Sequence, residues 1–160
     1  MILNAKIPGC PNFKYYEFIK SETAIRHNID NTPTEEQWKS IELLARNVLQ
    51  PIRNEFGPIH ILSGFRSVAL NILIGGSKYS NHCRGEAADI EPWNSDIPLL
   101  DIVKFINNTL DFRTVIFEYP KYGWVHVDYR EGENLKKLKL KDSNHNYTEM
   151  SLLEIEKIYG

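Results

Sequence analysis

The sequence predicts an α+β fold with a small, mostly antiparallel sheet flanked by helices. Three observations carry this. Short β-prone runs alternate with amphipathic helical patterns. Two of those runs close into a hairpin late in the chain. The 160 residues are 42% hydrophobic and 25% charged, as in an ordinary globular protein. One domain over 1–160 is expected, large enough to bury about 70% of its unfolded surface without a disulfide.

The elements follow in order. Residues 1–33 are mixed and loop-like, punctuated by Pro8-Gly9, Pro11 and the Asp30-Asn31-Thr32-Pro33 turn, with a short helix predicted over Tyr16 to Arg26. Thr34-Glu35-Glu36-Gln37 reads as a capping box, and Trp38, Ile41, Leu44, Ala45 and Val48 then recur at helical spacing. Pro51 should bend or end that helix, and Gly57-Pro58 stops it. Ile59 to Leu62 is strand-like, Val68 to Ile74 helical and closed by Gly75-Gly76, and residues 77–85 a polar loop. Ala87 to Glu91 reads as a strand ended by Pro92. Leu99, Ile102, Val103 and Ile106 mark a second amphipathic helix. Thr114–Glu118 and Trp124–Tyr129 form the hairpin across Tyr119 to Gly123. Lys136 to Lys141 is a basic, solvated stretch that could also touch anionic polymer. Thr148 is placed as the cap of a last helix bearing Leu152, Leu153, Ile155 and Ile158.

Charge and cysteine usage narrow the function classes. Nineteen basic against 21 acidic residues give a net charge of −2, so no global field draws in nucleic acid or an anionic membrane. Cys10 and Cys83 belong to no CxxC pair, which argues against a cysteine-rich zinc module or disulfide framework. The N-terminus shows no signal-peptide pattern, and no run approaches the ~20 apolar residues of a membrane span. A monomer made in the cytoplasm is expected, reaching a substrate outside only if something releases it.

The segment Ser80-Asn81-His82-Cys83-Arg84-Gly85-Glu86-Ala87-Ala88-Asp89 sets a His and an Asp seven positions apart, with Gly and small Ala between them. On a helix these two would stand ~10.5 Å apart, too far for two ligands of one metal at ~2.0–2.2 Å. A turn at Gly85 lets a loop His and a strand Asp converge instead. His126 alternates with Trp124 and Asp128 on one face of its strand; alone it reads more readily as a half-buried imidazole than as a ligand.

Taken together, Gly64-Phe65-Arg66-Ser67, Leu70-Asn71, Gly75-Gly76-Ser77, Ser80-x-His82-x-x-Gly85-x-Ala87-x-Asp89 and Trp124-Val125-His126-Val127 follow in one order. The chain thereby resembles the zinc D-Ala-D-Ala carboxypeptidase family (M15-type peptidases), in the small branch found in phage endolysins and bacterial cell-wall enzymes. Upstream, Phe18-Ile19-x-Ser21-x-Thr23-Ala24 and Val48-Leu49-Gln50-Pro51-Ile52-Arg53 extend the likeness to about residues 13–129. The resemblance implies a hedgehog/D-Ala-D-Ala-peptidase-like fold. It also implies one Zn2+ per chain on His82, Asp89 and His126, and hydrolysis of peptidoglycan peptide by a metal-activated water.

A carboxylate must move the water's proton. The family places it shortly before the last His, but position −3 is Gly123 here, so the D/E-x-x-H spacing is absent. Glu118 is preferred, since a hairpin brings its strand to ~4.8 Å from the ligand's. Asp128 competes, set ~7 Å along the strand from His126. The resemblance makes Arg66 the substrate clamp, and Ser80 is either a substrate contact or a turn serine. Cys83 reads as packing, His60 as a strand histidine, and His27 and His145 as solvated. Trp93, Trp124 and Tyr122 either line a groove or join the core. The competing class is a non-catalytic zinc-containing wall-peptide or protein-binding module, such as a virion component. A zinc nuclease is disfavoured by the charge.

Overall fold

The computed structural model describes residues 2–160. β1 (Lys6–Ile7) and β2 (Cys10–Lys14) form a two-stranded antiparallel ribbon. The helix expected over Tyr16 to Arg26 is instead two pieces, a 3-10 turn at Tyr15–Phe18 and α1 (Glu22–Arg26). Ser21 separates them because its hydroxyl accepts the Ala24 N–H as an N-cap.

The capping box at Thr34 and Gln37 opens α2 (Glu35–Leu44) as expected. Pro51 does not end the helical rod. Residues Ala45–Leu49 widen into a π-turn, the Gln50 N–H bonding Ala45 O, and α3 (Gln50–Phe56) continues with Pro51 in its first turn. The wider turn takes up the missing Pro51 N–H and its ring inside the rod. Gly57, at φ +79, closes α3.

The main sheet holds β3 (Ile59–Ser63), β4 (Ala87–Pro92), β5 (Thr114–Glu118), β6 (Trp124–Asp128), β7 (Lys137–Lys141) and β8 (Tyr147–Glu149). Its order is β3-β4-β6-β5-β7-β8, antiparallel throughout except for the parallel β5–β7 pair. The chain is therefore mixed α+β with an open, mostly antiparallel sheet. α4 (Val68–Leu73), a 3-10 turn at Asn81–Arg84, α5 (Leu99–Thr109) and α6 (Leu152–Tyr159) complete it. The last helix is capped by Ser151, not Thr148, which lies in β8.

Strand alternation decides what each face does. Ile61, Ile90, Val125, Val127, Val115, Phe117, Leu138 and Leu140 join Ile41, Leu44, Val48, Ile52, Ile102, Val103, Ile106 and Ile155 in one core. The alternate residues Asp89, His126, Ile116, Glu118, Lys139 and Lys141 face the other way and line a cavity. The stretch read as solvated is thus half core: Lys136 to Lys141 contributes Leu138 and Leu140 to the core from β7.

No helix is long and apolar enough to cross a membrane among the described residues.

A candidate metal site on the open face of the sheet

Gly85 makes the convergence possible. Its left-handed φ of +74 ends the Asn81–Arg84 turn and sends the chain into β4, so His82 and Asp89 meet although seven residues separate them. The third member arrives by strand pairing, since Asp89 and His126 lie directly opposite in the β4–β6 ladder.

His126 Nδ1 is 2.8 Å from Asp89 Oδ1, and His82 Nε2 is 3.3 Å from His126 Nδ1 and 3.4 Å from Asp89 Oδ1. One ligand atom from each of the three residues lies within 4.8 Å of the others, so the group could hold a metal ion. The donor set of two imidazoles and a carboxylate suits a borderline divalent cation such as zinc.

The far side of each ring supports that use. His82 Nδ1 is 2.7 Å from Gly64 O, which accepts its proton and leaves Nε2 as the free lone pair. His126 Nε2 is 3.5 Å from Asp128 Oδ2, which leaves Nδ1 turned toward Asp89. Asp128 is in turn held by Asn81, whose amide donates to Oδ2 at 3.0 Å, while Arg113 Nη1 stands 3.9 Å from Oδ1.

The electrostatics are those of a metal-free cluster. Burial depresses the His82 imidazolium more than Asp89 raises it. Burial also works against charge on His126, but the Asp128 and Asp89 carboxylates override it and hold its pKa up at about 9. Asp89 is lowered below the ordinary carboxylate range: burial opposes its charge, and the two histidines outweigh it.

The cavity around this cluster measures about 560 Å³, and Arg66, Ser80, Glu118 and Trp124 line it too. The two carboxylates weighed as proton carriers sit differently from expectation. The residue opposite His126 on β5 is Ile116, while Glu118 pairs with Trp124, one diagonal step further along. Glu118 is nonetheless in the cavity wall, buried, with Lys141 Nζ donating to Oε2 at 2.8 Å. Burial works against the Lys141 ammonium, but its bonds to Glu118, Tyr147 and Tyr119 hold it above the ordinary lysine range. Asp128 is not ~7 Å away, because its side chain folds back along the strand onto the His126 ring.

Arg66 lies just past the end of β3, its N–H bonded to His82 O, and its Nε is shut off from solvent with no partner among the described residues. It also borders a second cavity, of about 440 Å³, with Lys20, Leu62 and Leu70. Cys83 stands outside the converging group. Trp93 and Tyr122 are 67% and 95% exposed, so of the three aromatic residues only Trp124 reaches the cavity. His145 bonds the Tyr119 hydroxyl, and His60 lies 3.4 Å from Glu91.

Sequence reasoning gave no site role to the Gly64 carbonyl or to Asn81, and it read Lys139 and Lys141 only as part of a solvated basic stretch. The backbone carbonyl of Gly64 carries no residue-level signal. The two lysines did carry one: Lys-Leu-Lys-Leu-Lys is a period-two pattern, the mark of a half-buried strand.

Residues 11–128 match the family model described as Peptidase M15. No curated protein matches the chain.

Proposed function

The chain belongs to the Peptidase M15 family, and from that membership and the site geometry we propose a zinc-dependent peptidase acting on peptidoglycan stem peptides. His82 Nε2, Asp89 and His126 Nδ1 are the protein ligands of one zinc ion. The observation that carries this is the pair of imidazoles whose far nitrogens are each engaged by an acceptor, Gly64 O and Asp128, so that the near nitrogens, His82 Nε2 and His126 Nδ1, converge on Asp89. When bound, zinc supplies Lewis-acid polarisation of the scissile carbonyl and lowers the pKa of a bound water.

The protein's own groups do the rest. Glu118, in the wall of the same cavity, takes the proton from the attacking water and passes it to the leaving amine. Lys141 fixes the Glu118 carboxylate in place. Asp128 is a positioning residue and not the base, because it engages His126 on the ring nitrogen facing away from Asp89. Arg66, in the wall of the same cavity, takes a substrate carboxylate or carbonyl with its guanidinium. Ser80 borders the same cavity and offers a hydroxyl to the peptide backbone. Arg66 also borders a cavity beyond it and so does not wall the groove off, which favours a cut inside the stem or cross-bridge over removal of a terminal D-Ala. Release by a phage-type lysis system belongs to this reading, with the cell wall as the place of action.

Mass spectrometry of Gram-negative and Gram-positive peptidoglycan fragments, with and without a zinc chelator, tests the proposal. Chelator-sensitive internal stem fragments are the expected products, and loss of one terminal residue would make the protein a carboxypeptidase. Glu118→Gln should keep the zinc and lose turnover by ~10²-fold or more. No product from any wall type, with one zinc bound per chain, would sink the hydrolase and leave a non-catalytic binding module.

A further inference from the structure

The charged residues lining the metal cavity are Arg66, Asp89, Glu118, Asp128, Lys139 and Lys141. Most are already matched: Asp89 and Asp128 to His126, and Glu118 to Lys141. Among the described residues, Arg66 and Lys139 form no ion pair.

Their placement follows from the strand register. Ser63, Asp89, His126, Ile116 and Lys139 form one row straight across β3, β4, β6, β5 and β7. Lys139 therefore stands two strands from His126, ~10 Å at the backbone, with only the apolar Ile116 between them. Arg66 lies on the opposite side, just beyond β3. Two unmatched cations thus bracket the candidate metal ligands, and Lys139 lies outside the residues matched by the family model.

Lys139 is a half-buried residue of the cavity wall, and although Glu149 of β8 lies opposite it in the ladder the two form no ion pair, so its charge is open to an anion in the cavity. Resting on the peptidase reading above, we propose that Lys139 is a specificity-determining residue that recognises a second free carboxylate on the substrate, across the scissile bond from the group held by Arg66. The substrate class is then an acidic stem peptide with a free side-chain or α-carboxylate about two strand widths from the reacting carbonyl, in preference to its amidated form.

Three synthetic pentapeptides test this: L-Ala-γ-D-Glu-diaminopimelyl-D-Ala-D-Ala with both inner carboxylates free, and the two forms with one or the other amidated. Cleavage is followed by mass spectrometry, and binding by anisotropy of labelled peptide, so that recognition is read even without turnover. The wild-type protein should prefer the free acid over one amidated form by about tenfold, the scale of one charge-assisted hydrogen bond. Lys139→Met should abolish that preference, and Lys139→Arg should retain it. Equal binding of all three peptides, or a preference that survives in Lys139→Met, would overturn the proposal. Preferential binding of the acid without cleavage would uphold it and count against the peptidase reading alone.

Discussion

At the residue scale, the site is a competition between protons and metal for the same lone pairs. An imidazole ordinarily titrates near 6.5, but Asp128 and Asp89 hold His126 protonated up to about pH 9 in the metal-free protein. A metal can take Nδ1 only after that proton leaves, so below about pH 9 each binding event releases a proton and the apparent affinity falls as the solution is acidified. Calorimetric zinc titrations in buffers of different ionisation enthalpy should show close to one proton released at pH 7 and markedly less at pH 10. Asp128→Asn should loosen the ring and weaken zinc by about 10–100-fold, the usual effect of losing such a partner. An unchanged affinity would show that Asp128 does not orient His126.

At the element scale, the short turn before β4 sets the position of His82, and Gly85 sets the turn. A Cβ at Gly85 would meet the Gln37 backbone oxygen at 2.6 Å and Ile41 Cγ1 at 3.0 Å, in a residue already at positive φ. Since α2 cannot give way without disturbing the core, Gly85→Ala combines left-handed strain with a backbone clash. Gly132 has a similar φ of +78 and open space around it, so Gly132→Ala carries the strain alone, about 1–2 kcal/mol. Urea unfolding should show Gly85→Ala more destabilising than Gly132→Ala by at least ~1 kcal/mol. Equal losses would mean that the loop relaxes away from α2.

At the scale of the whole molecule, the question is whether the residues after 128 belong to the same cooperative unit. β7 pairs with β5 along five registered residues, and Ile155 of α6 is fully buried in the common core. Lys104 of α5 also reaches Glu156 at 3.2 Å. Ile155→Ala should therefore destabilise the entire fold by about 2–5 kcal/mol, lowering one thermal transition followed by both tryptophan fluorescence and circular dichroism. A separate early transition, with the remainder melting as before, would show that α6 is an appendage.

The pattern of residues was sufficient for the elements that rest on local physics. Thr34 and Gln37 announce a helix start, the hairpin runs announce β5 and β6, and the His82–Gly85–Asp89 spacing announces a turn that brings two polar side chains together. Where the outcome depended on what packs alongside, local signals fell short. Pro51 stays inside a helical rod because a π-turn absorbs it, and Ser151 displaces Thr148 as a cap because Thr148 is taken by β8. The lysines of β7 became cavity wall only when Leu138 and Leu140 were buried against the core. Asp128 comes within 3.5 Å of the His126 ring and Glu118 falls a diagonal step from His126 for the same reason. A side chain's reach is set by its rotamer and its cross-strand neighbours, and only the assembled sheet fixes those.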